Sequence, residues 1–204
     1  MVPLAHSPIR QRAPVSEHAG WEVSRASCDA PLRIADLTPL SKVLVRAAPT
    51  SAAAKVLRCA FGRSRREASG ELIVGAGPDE WLLLAPASTE PQVVVDLLAN
   101  HDDLVTVLDV THGRVVFRLT GADSAKLLEK VCAIDLSDHA TPDGAAFRSS
   151  VARLSCLVVR DDIDGVRSYL ISSDRSSGQY LFDALAGAGT EFSIAPEGFP
   201  AKEI

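Results

Sequence analysis

A chain of 204 residues with 47% hydrophobic and 23% charged side chains has enough apolar surface for one large core or two small ones. Its formal net charge of -5 offers no global field for nucleic acid or anionic lipid, so neither is expected as a partner. The longest apolar runs, Leu82–Pro86 and Leu154–Val159, are strand-sized and too short to span a bilayer.

Residues 1–34 mix His6, Arg10, Arg12, Glu17, His18 and Glu22 with proline, alanine and serine, without sustained periodicity, and predict a loosely ordered N-terminal arm. The opening Met-Val-Pro-Leu-Ala-His lacks a basic region followed by an apolar one, and Glu17, Glu22 and Asp29 argue against an acid-poor presequence. A cytoplasmic protein is expected. Cys28, Cys59, Cys132 and Cys156 are then reduced thiols, scattered without Cys-x-x-Cys or a histidine at zinc-ligand spacing. Cys132 and Cys156 lie in apolar patterns and read as small buried hydrophobes.

An internal repeat organises the rest of the chain. Lys42-Val-Leu-Val-Arg46 returns as Arg114-Val-Val-Phe-Arg118, each a strand followed by a helical segment, Ala54–Leu57 and Ala125–Leu128. Thr120 and Asp123 suggest a capping-box-like start to the second of these helices, with Ala125, Leu128 and Cys132 on one face. Two strands joined by a turn come next in each copy, Glu71–Gly75 with Trp81–Ala85 and Leu154–Arg160 with Ser168–Ser172. Helices are predicted over Pro91–Ala99, with Val94, Leu97 and Leu98 apolar, and over Ser177–Ala186, stopped by Gly187 and Gly189. Strands Leu104–Asp109 and Glu191–Ile194 close the copies.

Each half thus reads β-α-β-β-α-β, and the expected fold is α+β, two fused ferredoxin-like halves with antiparallel sheets paired back to back or edge to edge. The implied division is an arm at 1–34, halves at 35–111 and 112–196, and a tail at 197–204.

Chemistry-bearing motifs are sparse. Gly75-Ala76-Gly77 is followed by a strand and has Glu80 where a dinucleotide fingerprint needs its last glycine, so the glycines read as hairpin residues. No Walker loop, no G-x-S-x-G elbow and no ordered calcium loop occurs. His112, between Asp109 and Arg114, is the best acid/base candidate, with a turn at the junction of the halves as its other reading. Arg63, Arg65 and Arg66 form the one basic cluster, either a solvated loop or a contact for another subunit. Trp81 at a strand start reads as a core anchor. No catalytic, cofactor-binding or metal-ligating residue is assigned.

Gly77-Pro-Asp-Glu-Trp-Leu-Leu83 resembles the hairpin motif of gamma subunits of heterotetrameric sarcosine oxidase. Asp109-Val-Thr-His-Gly-Arg114, Thr120–Ala125, Leu128–Leu136, Arg148–Leu154 and Ser168–Leu185 resemble further segments of that family in order and spacing, so the similarity covers about residues 35 to 195. That family is related to the folate-binding domain of glycine-cleavage aminomethyltransferases, whose two-copy α+β organisation agrees with the repeat. The resemblance implies a non-catalytic subunit of a cytoplasmic enzyme that demethylates sarcosine oxidatively to glycine and passes the one-carbon unit to tetrahydrofolate. It further implies alpha, beta and delta partner subunits, chiefly alpha, which hold the flavins (FAD and FMN), NAD and tetrahydrofolate. The alternative is a free-standing folate-binding one-carbon protein. It would need a carboxylate to hold folate, for which Asp109, Asp135 and Glu80 are the acids beside recognisable motifs, each also explained as a turn or capping residue.

Overall fold

The computed structural model describes residues 3–92, 94–95 and 104–200. Three short strands, β1 (Ala5–His6), β2 (Val15–His18) and β3 (Trp21–Ser24), form a sheet of order β1-β3-β2 within the stretch expected to be a loosely ordered arm. The reason is local and small: Trp21 and Val23, two residues apart on β3, point into the core, and two apolar positions are too few to show as periodicity. The chain returns to this sheet near its other end, where Gly198 and Phe199 N–H groups donate to the carbonyls of Ala26 and Ser24 at 2.8 Å each.

Beyond the arm run β4 (Leu32–Asp36), β5 (Ser41–Ala47), α1 (Ala52–Leu57), β6 (Ser64–Arg66), β7 (Leu72–Gly77), β8 (Glu80–Ala85) and β9 (Val105–Asp109). They are followed by β10 (Arg114–Thr120), α2 (Ser124–Glu129), β11 (Ala146–Val151), β12 (Leu154–Arg160), β13 (Ser168–Asp174), α3 (Gly178–Ala188) and β14 (Ile194–Glu197). One sheet has the order β6-β7-β8-β5-β9, which is the ferredoxin-like arrangement with β6 added at its edge. The second, β11-β12-β13-β10-β4-β14, repeats that order with β11 added outside and β4 inserted between β10 and β14. The α+β class with two antiparallel, ferredoxin-like halves holds, and β4 ties the N-terminal stretch into the second half. It runs antiparallel to β10, with Phe117 opposite Asp36, and parallel to β14.

The sheets stack face to face with helices outside. Leu72, Val74, Leu82 and Leu84 of the first sheet meet Val116, Leu157, Val159 and Leu170 of the second in a central core. On the outer face of the second sheet Val115, Phe117 and Leu119 pack against Leu127, Leu181 and Leu185 of α2 and α3. On that of the first, Ile73 and Leu83 meet Ala53 and Leu57 of α1. Each central strand is therefore buried on both faces, which is why the strands read as near-continuous apolar runs.

Local signals were followed unevenly. Ser51 caps α1 by accepting from the Ala54 N–H at 3.1 Å, and Gly189 ends α3 with its N–H on the Leu185 carbonyl at 3.0 Å. The capping box expected before α2 does not form. Thr120 is the last residue of β10 and turns to Ser168 at 3.1 Å, while Asp123 takes Lys126 at 2.8 Å instead of a backbone N–H. The predicted strand Glu191–Ile194 begins as a 3₁₀ turn at Thr190–Phe192, and the strand lies at Ile194–Glu197. Of the predicted helix Pro91–Ala99, Gln92, Val94 and Val95 are helical and Val94 is buried, while Leu97 and Leu98 lie outside the described residues.

Candidate functional site

The residues singled out for chemistry are not brought together. His112 sits in the turn between β9 and β10 and stacks on the buried Trp21, ring centroids 4.9 Å apart. The guanidinium of Arg175 lies 5.8 Å from the same indole. Asp109 accepts the Thr111 N–H at 2.8 Å, and bonding from Thr111 outweighs burial to hold its carboxyl below the usual range. Asp135 accepts the Ser137 N–H at 2.9 Å, which lowers it in the same way. Both are turn carboxylates, satisfied by the backbone two residues on. Trp81 is buried, its indole N–H on the Cys59 carbonyl at 2.7 Å. Burial pushes the Cys59 thiol up and that of Cys156 to about 11, so these sulfurs are unreactive thiols. Among the described residues no group of three or more His, Cys, Asp or Glu could hold a metal ion, and no helix is long and apolar enough to cross a membrane.

Two of the three clustered arginines are tied into the fold, while Arg63 is exposed. Arg65 bonds the Leu57 carbonyl at 3.1 Å and pairs with Glu67. Arg66, on the edge of the first sheet, pairs with Asp161 at the end of β12, and Asp161 also receives Arg118 at 2.8 Å. Arg118 is buried in β10. Two cations from different halves thus meet one buried carboxylate, and Ser168 adds a bond to Arg118 at 3.2 Å. Next to it the buried Arg160 donates to the Thr141 carbonyl at 2.8 Å and pairs with Asp162 at 2.9 Å, an arrangement that raises its pKa chiefly through the Asp162 bond.

Lys42 is the most buried charged group among the described residues, with no exposed surface. Its Nζ donates to the carbonyls of Thr38 at 2.6 Å and Leu40 at 2.7 Å, in the link from β4 of one sheet to β5 of the other. Burial brings its pKa down to about 7, against the opposing pull of Asp36 and Asp109, while Arg175 adds to the lowering. Lys42 clips the crossover between the halves, and with no exposed surface it has no opening to a substrate.

A third site is open to solvent. The turn after β7 borders a cleft of about 490 Å³ between the first half and β11. Glu80, buried at its floor, accepts the Arg46 Nη2 at 2.8 Å on one oxygen and Arg148 on the other, and the Arg148 Nε reaches the Ala76 carbonyl at 3.1 Å. Phe61 and Pro78 supply apolar surface beside the cleft, while the Phe147 side chain, on the other face of β11, packs toward the outer core of the second sheet. Sequence reasoning took Glu80 as a turn or capping residue or a possible folate carboxylate, and the geometry makes it the shared anion of two arginines from opposite halves. It placed Lys42, Arg118 and Arg160 in strands but missed that they are buried cations. The available signal was a cation inside a strand whose neighbours on both faces are apolar, as in Val-Val-Phe-Arg-Leu.

This arrangement joins the two halves beside a lined cleft at their seam, and comparison with known proteins agrees with such a body. A family model described as the GCVT N-terminal domain matches residues 68–204. The sarcosine oxidase gamma subunit of Corynebacterium sp. (strain P-1) is 27% identical over 202 residues, covering 95% of this chain and 97% of that one. That of Corynebacterium sp. (strain U-96) is 31% identical over 141 residues, 68% of this chain and 66% of that one. In the structure of heterotetrameric sarcosine oxidase from Corynebacterium sp. U-96 in complex with pyrrole 2-carboxylate, one chain superposes with a TM-score of 0.70 at 25% identity, covering 83% of this chain and 89% of that one. Glycine cleavage system aminomethyltransferase T from Bartonella henselae shares the fold, with a TM-score of 0.67 at 16% identity over 93% of this chain and 57% of that one. The chain belongs to the GCVT N-terminal domain family and is a homologue of sarcosine oxidase gamma subunits.

Proposed function

We propose that this chain is the non-catalytic gamma subunit of a cytoplasmic heterotetrameric sarcosine oxidase. Its role is to support the oxidative demethylation of sarcosine to glycine, with the one-carbon unit passing to tetrahydrofolate. The reading rests most on one observation, the similarity to a gamma subunit that runs through 97% of that protein's length. The interior supports it from the physical side. The buried cations are tied up inside the fold, which suits a scaffold: Lys42 pins the crossover between the sheets, Arg118 meets the same Asp161 that Arg66 reaches from the other half, and Arg160 is paired within the second half. Catalytic, cofactor-binding and metal residues are accordingly assigned to none of its side chains. FAD, FMN, NAD and tetrahydrofolate belong to the alpha, beta and delta subunits, and the chief contact is with alpha. Co-expression of the tagged chain with the three other subunits tests this: recovery of one flavin-coloured particle is expected, and a lone colourless chain would overturn it.

A second reading, a free-standing folate-binding one-carbon protein, draws on the shared aminomethyltransferase fold. Titration of the isolated chain with tetrahydrofolate separates the two, because only this second reading expects saturable binding without partners.

A further inference from the structure

Phe61 keeps 63% of its surface exposed, yet its backbone is held on both sides. It bridges Gly75 of β7, flanked by the Gly62 N–H on the Gly75 carbonyl at 3.0 Å and the Gly75 N–H on the Arg63 carbonyl at 2.8 Å. The Gly62 carbonyl in turn accepts the Ala146 N–H, at the start of β11, at 2.9 Å. So close an approach requires glycine at position 75, where a Cβ would stand 2.1 Å from the Ala60 carbonyl oxygen. An uncovered ring on a fixed backbone loses little conformational freedom when something covers it, and such aromatic side chains anchor protein interfaces.

The rim of the same cleft carries charge. Arg46 uses Nε and Nη2 on Glu80, and Arg148 uses Nε on the Ala76 carbonyl and Nη2 on Glu80, so each keeps one Nη free at a half-exposed surface. Glu80 offsets only one of the two guanidinium charges. Asp79 acts on Arg46, which leaves the surplus at Arg148.

Resting on the reading of the chain as a gamma subunit, we propose that this cleft is a docking surface for a partner subunit. The occupant is a segment that seats an apolar side chain on Phe61 and Pro78 and delivers a carboxylate to Arg148. A second copy of this chain is disfavoured, because two such faces in register would oppose their arginines. As the cleft is built from both halves, its occupant also clamps the seam.

The test compares wild type, Phe61→Glu and Arg148→Ala, each co-expressed with the three other oxidase subunits, by yield of the assembled particle and by thermal unfolding of the isolated full chain. Phe61→Glu should lower assembly about tenfold while leaving the unfolding midpoint of the isolated chain in place, because the ring is exposed. Arg148→Ala should weaken assembly and reduce its sensitivity to salt. Variants that assemble like wild type would overturn the proposal. A wild-type chain that elutes alone would overturn the gamma-subunit reading and this docking surface with it. A Phe61-dependent homodimer would overturn the stated occupant.

Discussion

Burying a charge inside a strand is costly unless partners compensate it, and β5, β10 and β12 each bury a cation, Lys42, Arg118 and Arg160. Arg118 has its compensation from Asp161 at 2.8 Å, so Asp161→Ala strands a buried guanidinium. A loss of about 3 kcal/mol in urea unfolding is expected, and a change within about 0.5 kcal/mol would contradict the assigned role. Lys42 makes a different prediction, because its partners are neutral carbonyls and its pKa falls to about 7 on folding. Below that pH both the folded and unfolded chains hold the proton and the burial penalty is complete. Between about 7 and 10.5, the ordinary value for a lysine in water, the unfolded chain holds more of it, so stability rises with pH by at most about 1.4 kcal/mol per unit. Unfolding free energies of wild type and Lys42→Met, measured from pH 7 to 10, should differ by that slope. Parallel curves would show that Lys42 does not titrate as described. None of these pairings was legible in the sequence: Arg66 and Asp161 are 95 positions apart, and only the folded sheets reveal that they meet.

Among the elements, those with local cues were readable and those defined by a distant partner were not. The hairpin of β7 and β8 was signalled by glycines and a Pro-Asp turn, and α3 by its apolar spacing and terminal glycines. In contrast β4 offers only Leu32, Ile34 and Ala35 as apolar residues, and its identity as a strand depends on lying between β10 and β14. The edge strand β6 consists of Ser-Arg-Arg, which composition reads as a charged loop until its ladder to β7 is seen. Gly75 was read correctly as a hairpin residue, but its close approach to Ala60 was invisible. Gly75→Ala should therefore cost about 2 kcal/mol through displacement of residues 60–63 from β7, checked by chemical denaturation. Trp81→Phe removes the donor to the Cys59 carbonyl and should cost about 1 to 2 kcal/mol in the same assay, with no loss meaning that the bond contributes nothing net.

For the whole molecule, the β-α-β-β-α-β repeat was the decisive pattern, and it gave the class and the two halves. What it could not give was their union. The insertion of β4, the face-to-face core and the carboxylates shared across the seam depend on contacts between residues far apart in sequence. That union makes one body with a cleft across its seam, a form suited to standing against a larger partner. The most direct test of this account is the mass of the particle recovered when the tagged chain is drawn from a lysate of its native host, read by light scattering with absorbance at flavin wavelengths. The account predicts a four-subunit, flavin-bearing assembly containing one copy of this chain; a colourless species of 21.6 kDa would contradict it.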